Sequence, residues 1–85
     1  MHEITYTIVD PDGIHARPAG EFVERMKKYS SAITINRGDK SVDARKLFAI
    51  MKMRVKVNET IVVRAEGEDE EAAVNDALAF LKENL

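Results

Sequence analysis

Near its start the chain alternates apolar and polar residues, and further on it changes to a longer period. Ile4, Tyr6 and Ile8 alternate with polar residues, which predicts a half-buried β-strand. Four turn-favouring residues, 10–13, end this pattern. From Ala16 the apolar residues recur three and four positions apart, at Ala19, Phe22, Val23 and Met26. This spacing predicts an amphipathic helix of about three turns.

The rest of the chain repeats both periods in shorter segments. Ile33 and Ile35 predict a strand that turns at 37–39 into a short strand over 40–43, forming a hairpin. Apolar residues at 47–53 predict a short helix, and residues 60–65 predict a strand that Gly67 ends. A terminal helix is predicted from Ala73, Val74, Ala77, Leu78, Leu81 and Leu85. Acidic residues crowd its first turn, where the helix dipole favours them.

The element order is therefore β-α-β-β-α-β-α. We predict an α+β fold, an open-faced two-layer β-sandwich in which three helices cover one face of a four-stranded antiparallel sheet. With 85 residues and no linker or internal repeat, the chain suits a single domain spanning 1–85.

Composition excludes several classes of protein. The chain has no cysteine, which rules out disulfides and cysteine-based zinc or iron–sulfur sites. The start of the chain does not resemble a signal peptide, and no apolar run approaches the ~20 residues of a spanning helix. These features favour a cytoplasmic protein without direct membrane insertion.

Charge is unevenly distributed. Residues 37–56 contain seven Lys or Arg and two Asp, whereas residues 66–71 contain five acids and no base. Both segments can be interpreted as solvated faces. The basic segment has a second interpretation, a docking face for an acidic protein partner. A nucleic-acid partner is disfavoured because the net charge is -2 and few aromatic residues are free for base stacking.

The two histidines differ in their surroundings. His2 belongs to no HExxH motif, and we predict neither a metal site nor a cofactor. His15 stands between a turn and a helix start, followed by Arg17 and then Pro18, which a first helical turn tolerates. Free first-turn N–H groups and an arginine would hold an anion beside the imidazole. His15 is thus a candidate acceptor for a phosphoryl group that another protein would supply, or else a surface histidine at a helix end.

Two segments carry a family resemblance. Residues 13–19, Gly-Ile-His-Ala-Arg-Pro-Ala, resemble the active-site signature of HPr, the histidine-containing phosphocarrier family of the bacterial phosphotransferase system. Residues 42–51, the chain length and the element order are also similar to that family.

The resemblance implies a carrier rather than an enzyme. Enzyme I would phosphorylate Nδ1 of His15, and the group would pass to a sugar-specific enzyme IIA. Arg17 and the backbone N–H groups of Ala16 and Arg17 would bind the phosphoryl group. The expected molecule is a monomer that presents one face to successive partners.

The implied docking surface combines the first helix with the short second helix. Its residues would be Gly20, Glu24, Lys27, Lys46, Leu47, Phe48, Met51 and Lys52. Arg45 and Arg54 would complete a basic ring around the apolar patch. We expect Phe48 to be exposed and Ile50 to lie in the core.

Three positions depart from the family pattern. Lys46 stands where many members carry a regulatory serine, so no regulatory serine is expected here. Arg54 replaces a common glycine, which would strain the backbone or reshape the turn if φ is positive there. Asp12 would place a carboxylate near the phosphorylation site, where its charge would oppose the phosphoryl group, or else its side chain is turned away as a local turn former. These departures leave an alternative function open. The chain would then be an HPr-like regulatory module of a nitrogen-type or other side branch, and it would act by docking to a target protein.

Overall fold

The computed structural model describes residues 1–85 and contains seven elements. The strands are β1 (His2–Thr7), β2 (Ala32–Arg37), β3 (Lys40–Asp43) and β4 (Thr60–Glu66). The helices are α1 (Ala16–Met26), α2 (Leu47–Met53) and α3 (Glu70–Asn84). The predicted order β-α-β-β-α-β-α is confirmed, although Ile8 lies beyond β1 and is fully buried in the following loop.

The sheet has the order β1-β4-β2-β3, and all its pairs are antiparallel. Ile4 pairs with Val63, Val63 pairs with Ile35, and Ile35 pairs with Val42. These four residues form one apolar row across all four strands. Because side chains in a strand point alternately to opposite faces, this register gives the whole sheet one apolar face for the helices.

The helices cover that face around a core of 21 buried hydrophobic residues. Phe22 of α1 meets Phe80 of α3 with ring centroids 5.6 Å apart and planes tilted by 55°. The predicted apolar face of α3 was wrong at one position, since Phe80 is buried whereas Leu78 is only half-buried. Phe80 lies three residues after Ala77 and seven after Ala73, so it continues the apolar face of the helix, and its ring fills the space between α1 and α3.

Polar contacts also fix α1 against α3. Asp76 of α3 forms an ion pair with Arg25 and accepts a hydrogen bond from the Tyr29 hydroxyl at 2.7 Å. Burial raises the pKa of the Asp76 carboxyl, but the bonds from Arg25 and Tyr29 outweigh it and hold that pKa below its usual value. These contacts hold the C-terminal end of α1, and the residues that follow it, against α3.

Candidate functional site

The loop before α1 is held by main-chain bonds and by one glycine. The N–H of Gly13 donates to the Asp10 carbonyl at 2.9 Å, and the N–H of Ile14 donates to the Val55 carbonyl at 3.0 Å. Gly13 has a φ of 66°, and a Cβ there would lie 2.2 Å from the Val55 carbonyl oxygen. Only glycine fits this close approach, so the glycine sets the path that leads to His15.

His15 occupies the N-cap position of α1 with extended backbone angles (φ -105°, ψ 172°). Its carbonyl oxygen accepts the first helical bond, from the Ala19 N–H at 3.0 Å. The N–H groups of Ala16 and Arg17 precede that bond and have no intrahelical acceptor. The imidazole does not cap the helix and is 39% exposed. An anion beside this ring would therefore meet free donors at the positive end of the helix.

The imidazole has one partner in the chain, and it is Asp10. The Nε2 and Asp10 Oδ2 atoms are 3.1 Å apart, and Asp10 Oδ1 accepts the Asp12 N–H at 2.8 Å. The bond from the Asp12 backbone, followed by that from His15, holds the pKa of the Asp10 carboxyl below its usual value.

Sequence reasoning considered Asp12 and missed Asp10. Asp10 is five residues before His15, but the turn at 10–13 folds the chain so that its side chain reaches the ring. An Asp-Pro-Asp-Gly turn just before a candidate histidine was the available signal.

The donor atoms of Asp10, Asp12 and His15 all lie within 4.8 Å of one another. Carboxylate oxygens and an imidazole nitrogen could contact a divalent cation. Exposed acidic groups are also common at such distances without an ion. The absence of a metal site stays a prediction from the sequence.

His15 lines an open groove together with residues of α2 and the segment after it. Phe48 and Met51 form its apolar wall, and Lys52 and Arg54 add cations. The Phe48 side chain is 81% exposed, whereas Ile50 of the same helix is 1% exposed, as expected from the sequence. Neither Lys52 nor Arg54 forms an ion pair in the chain.

Arg17 lies on an adjoining surface, a shallow depression shared by α1 and α3. Gly20, Glu24 and Phe80 line the same depression. Lys27 is exposed and pairs with Glu24 at 3.2 Å. Arg17 itself is exposed and has no ion-pair partner in the chain. The structure thus places Phe48, Met51 and Lys52 on one surface with His15, and Gly20 and Glu24 on an adjoining surface with Arg17. The other predicted docking residues, Lys27, Lys46 and Leu47, line neither surface.

Arg45 does not belong to the basic ring that the sequence suggested. Its guanidinium donates to the carbonyl of Tyr29, at 2.8 Å, and to that of Ser31. It therefore joins the chain after α1 to the loop before α2, and these bonds hold its charged group away from the groove.

Two of the three departures from the family pattern, Lys46 and Arg54, lie at the ends of α2. Lys46 is the exposed N-cap residue, without a side-chain cap, so its ammonium lies at the positive end of the helix dipole. A lysine has no hydroxyl that could form a phosphate ester. Arg54 is the C-cap residue in the left-handed conformation (φ 51°, ψ 50°), where glycine is preferred. The strain expected for a non-glycine residue at a positive φ is present.

No helix of the chain has both the length and the apolar character needed to cross a membrane.

Comparisons with known proteins agree with this geometry. Residues 2–83 match the family model described as "PTS HPr component phosphorylation site". The chain is 35% identical to the phosphocarrier protein HPr of Haemophilus influenzae, over 95% of both chains. It is 42% identical to that of Borreliella burgdorferi, over 84% of this chain and 83% of the relative. A solved HPr structure from Thermoanaerobacter tengcongensis superposes with a TM-score of 0.91 at 35% identity, covering 96% of this chain and 92% of the other.

The relatives are named phosphocarriers, which transfer a group and do not turn over a substrate of their own. The family match, the shared fold and the histidine at the start of α1 agree with one another. The chain belongs to the HPr family of phosphocarrier proteins of the phosphotransferase system.

Proposed function

We propose that the chain accepts a phosphoryl group on Nδ1 of His15 from enzyme I and passes it to an enzyme IIA of a sugar phosphotransferase system. One observation carries this proposal. A half-exposed imidazole stands at the N-terminus of α1, beside N–H groups that have no partner in the helix. Phosphoryl transfer needs chiefly positioning and charge stabilisation, and this arrangement supplies both.

The binding of the phosphoryl oxygens is assigned to Ala16 and Arg17. Their N–H groups point out of the first turn of α1, where the helix dipole also favours negative charge. The Arg17 guanidinium carries a permanent charge with no partner in the chain, so it is free to turn toward the phosphoryl group. The attraction from the first-turn N–H groups and the attraction from the Arg17 guanidinium both increase as negative charge develops on the transferred group.

Docking is assigned to the two surfaces that meet at His15. The first consists of Lys46, Leu47, Phe48, Met51 and Lys52 on and before α2. The second consists of Gly20 and Glu24 on α1 and of Lys27 at its C-cap. An exposed phenylalanine on a rigid helix is suited to anchor a partner, because an aromatic ring buries a large area at little cost in conformational entropy. The cations around it favour partners whose matching surface is acidic.

The first experiment measures transfer directly. The chain is incubated with phosphoenolpyruvate, Mg²⁺ and a purified bacterial enzyme I, and intact mass then reports the addition of acid-labile phosphate. We expect one phosphate on the wild type and on His2→Ala, and none on His15→Ala. The His2 variant is a matched control because it removes the other imidazole, which pairs with Glu70 far from the groove. Phosphate retained on folded His15→Ala would overturn the assignment.

A second candidate function is a regulatory module that acts by docking without transfer. The exposed Phe48 favours it, since such an anchor serves binding whether or not a phosphoryl group moves. Phe48→Ala and His15→Ala separate the two functions. Docking alone predicts that a captured target is lost only with Phe48→Ala, whereas the carrier function predicts that His15→Ala abolishes transfer and that Phe48→Ala weakens it.

We also propose that the chain acts in the cytoplasm as a monomer composed of one domain. A monomer leaves both surfaces beside His15 open to successive partners. Sedimentation of the purified chain at micromolar concentration should give a monomer mass, and a stable dimer would contradict this part of the proposal.

A further inference from the structure

We propose that Asp10 is a positioning residue that holds the imidazole proton of His15 on Nε2 and so keeps the lone pair on Nδ1 for the phosphoryl group. Its role in transfer rests on the proposed function, whereas the position of the proton is measurable on the chain alone.

The geometry allows one arrangement of donors and acceptors. The Asp10 N–H donates to the Leu85 carbonyl at 2.9 Å, which fixes the backbone of Asp10. Oδ1 accepts the Asp12 N–H at 2.8 Å, so the carboxylate is oriented with Oδ2 toward the ring, 3.1 Å from Nε2. An ionised carboxylate only accepts hydrogen bonds, and therefore Nε2 must be the donor. In a neutral imidazole the other nitrogen, Nδ1, then carries the lone pair.

The bonds of the transfer step balance with this arrangement. The Nδ1 lone pair forms a bond to phosphorus while the bond from phosphorus to the donor breaks and its electron pair leaves with the donor. The Nε2 proton stays on the ring, which becomes positively charged, and the Asp10 carboxylate offsets that charge. When an acceptor attacks phosphorus, the pair of the N–P bond returns to Nδ1. No proton needs to enter or leave the ring.

Asp10→Asn is the decisive substitution, because it should move the ring proton of His15 from Nε2 to Nδ1. If Oδ1 of the asparagine keeps the bond from the Asp12 N–H, its NH₂ group takes the place of Oδ2 and donates to Nε2. The ring proton must then lie on Nδ1, where it blocks the nucleophile. Asp10→Ala imposes neither tautomer. An isosteric change is therefore expected to do more harm than truncation.

The position of the proton is read by ¹⁵N NMR of the imidazole at a pH of about 8.5, at which an ordinary histidine is neutral. We expect Nε2–H in the wild type, Nδ1–H in Asp10→Asn and an average of both in Asp10→Ala. Asp12→Ala is the matched control. It removes an equal charge from the same turn but leaves the bond to His15, so the Nε2–H signal should persist. Thermal melting checks that each variant is folded.

The consequence for transfer is measured with potassium phosphoramidate, a small donor that needs no partner protein. The rate of Nδ1 phosphorylation should fall at least tenfold in Asp10→Asn, less in Asp10→Ala, and little in Asp12→Ala. Phosphate on Nε2 should appear in Asp10→Ala because that nitrogen is no longer occupied. An Nε2–H signal in Asp10→Asn, or equal rates in the two Asp10 variants, would overturn the inference. Failure of enzyme I to phosphorylate the wild type would instead overturn the proposed function and leave the tautomer result standing.

Discussion

Replacing Gly13 by alanine tests the idea that one close backbone contact sets the path of the loop to His15. Two effects add. A non-glycine residue in the left-handed region costs about 1–2 kcal/mol. The new Cβ, 2.2 Å from the Val55 carbonyl oxygen, forces the two segments apart, which breaks the 3.0 Å bond from Ile14. That bond contributes about 1 kcal/mol. We expect Gly13→Ala to destabilise the fold by about 2–3 kcal/mol.

Gly20→Ala is the matched control, because it is the same chemical change in a different environment. Gly20 lies inside α1, and a Cβ there has nothing within 4 Å. Alanine is favoured over glycine in a helix interior by about 0.5–1 kcal/mol, so this variant should gain stability. The two substitutions should therefore change stability in opposite directions.

Thermal melting followed by circular dichroism measures both variants under the same conditions. For a domain of this size 1 kcal/mol corresponds to about 4–8 °C in Tm. Gly13→Ala should therefore melt at least ~8 °C below the wild type, and Gly20→Ala a few degrees above it. The Gly13 variant should also accept phosphate more slowly from enzyme I at temperatures at which it is folded, since the loop that presents His15 is displaced. A Gly13→Ala melting point within about 2 °C of the wild type would refute the steric reasoning.

Three further predictions concern other parts of the molecule. Arg54→Gly should relieve the left-handed strain and raise Tm by about 4 °C, and an unchanged or lower melting point would contradict it. Phe48→Ala should change stability by less than about 0.5 kcal/mol because the ring is exposed, while raising the KM of enzyme I for the chain about tenfold; a normal KM would remove Phe48 from the docking surface. The Ser31 hydroxyl and the Ser30 N–H hold the pKa of Asp69 at about 2, against 3.8 ordinarily. The ionised carboxylate therefore contributes to the free energy of unfolding at neutral pH, and this contribution is lost as pH falls toward 2. Melting curves of wild type and Asp69→Asn should accordingly differ at pH 7 and converge near pH 2, and a constant difference would contradict the assignment.

The sequence determined the elements because each depends on local periodicity. The first helix was predicted to begin at Ala16 and to bury Ala19, Phe22, Val23 and Met26, and it does both, although it ends at Met26 rather than at the serines 30–31. The hairpin strand over 40–43 was also predicted correctly. The exposure of Phe48 and the burial of Ile50 were expected from the family resemblance, and the structure confirms both. The motif around His15 was equally local, since residues 13–19 carry the family resemblance in a single run.

Periodicity does not encode which strands are neighbours. That β4 lies between β1 and β2 is decided by pairing over distances of some 30 to 60 residues, as in the row that joins Ile4, Val63 and Ile35. The burial of Phe80 has a local origin instead, because Phe80 follows Ala73 and Ala77 at helical spacing; the packing of the helices decides only that its ring meets Phe22.

At the site, the sequence indicated the candidate phosphoryl acceptor and the structure decided its surroundings. His15, Arg17 and the start of α1 were singled out as candidates from neighbouring residues. The partner of the imidazole was not, because the turn at 10–13 determines which of two nearby aspartates reaches the ring. Likewise Arg45 counted as a surface cation in the sequence, but in the fold its guanidinium meets two main-chain carbonyls that only packing brings within reach. Local patterns specify the element on which a side chain lies, whereas tertiary packing decides the partner it meets, because hydrogen bonds act over about 3 Å between groups that the chain separates by many residues.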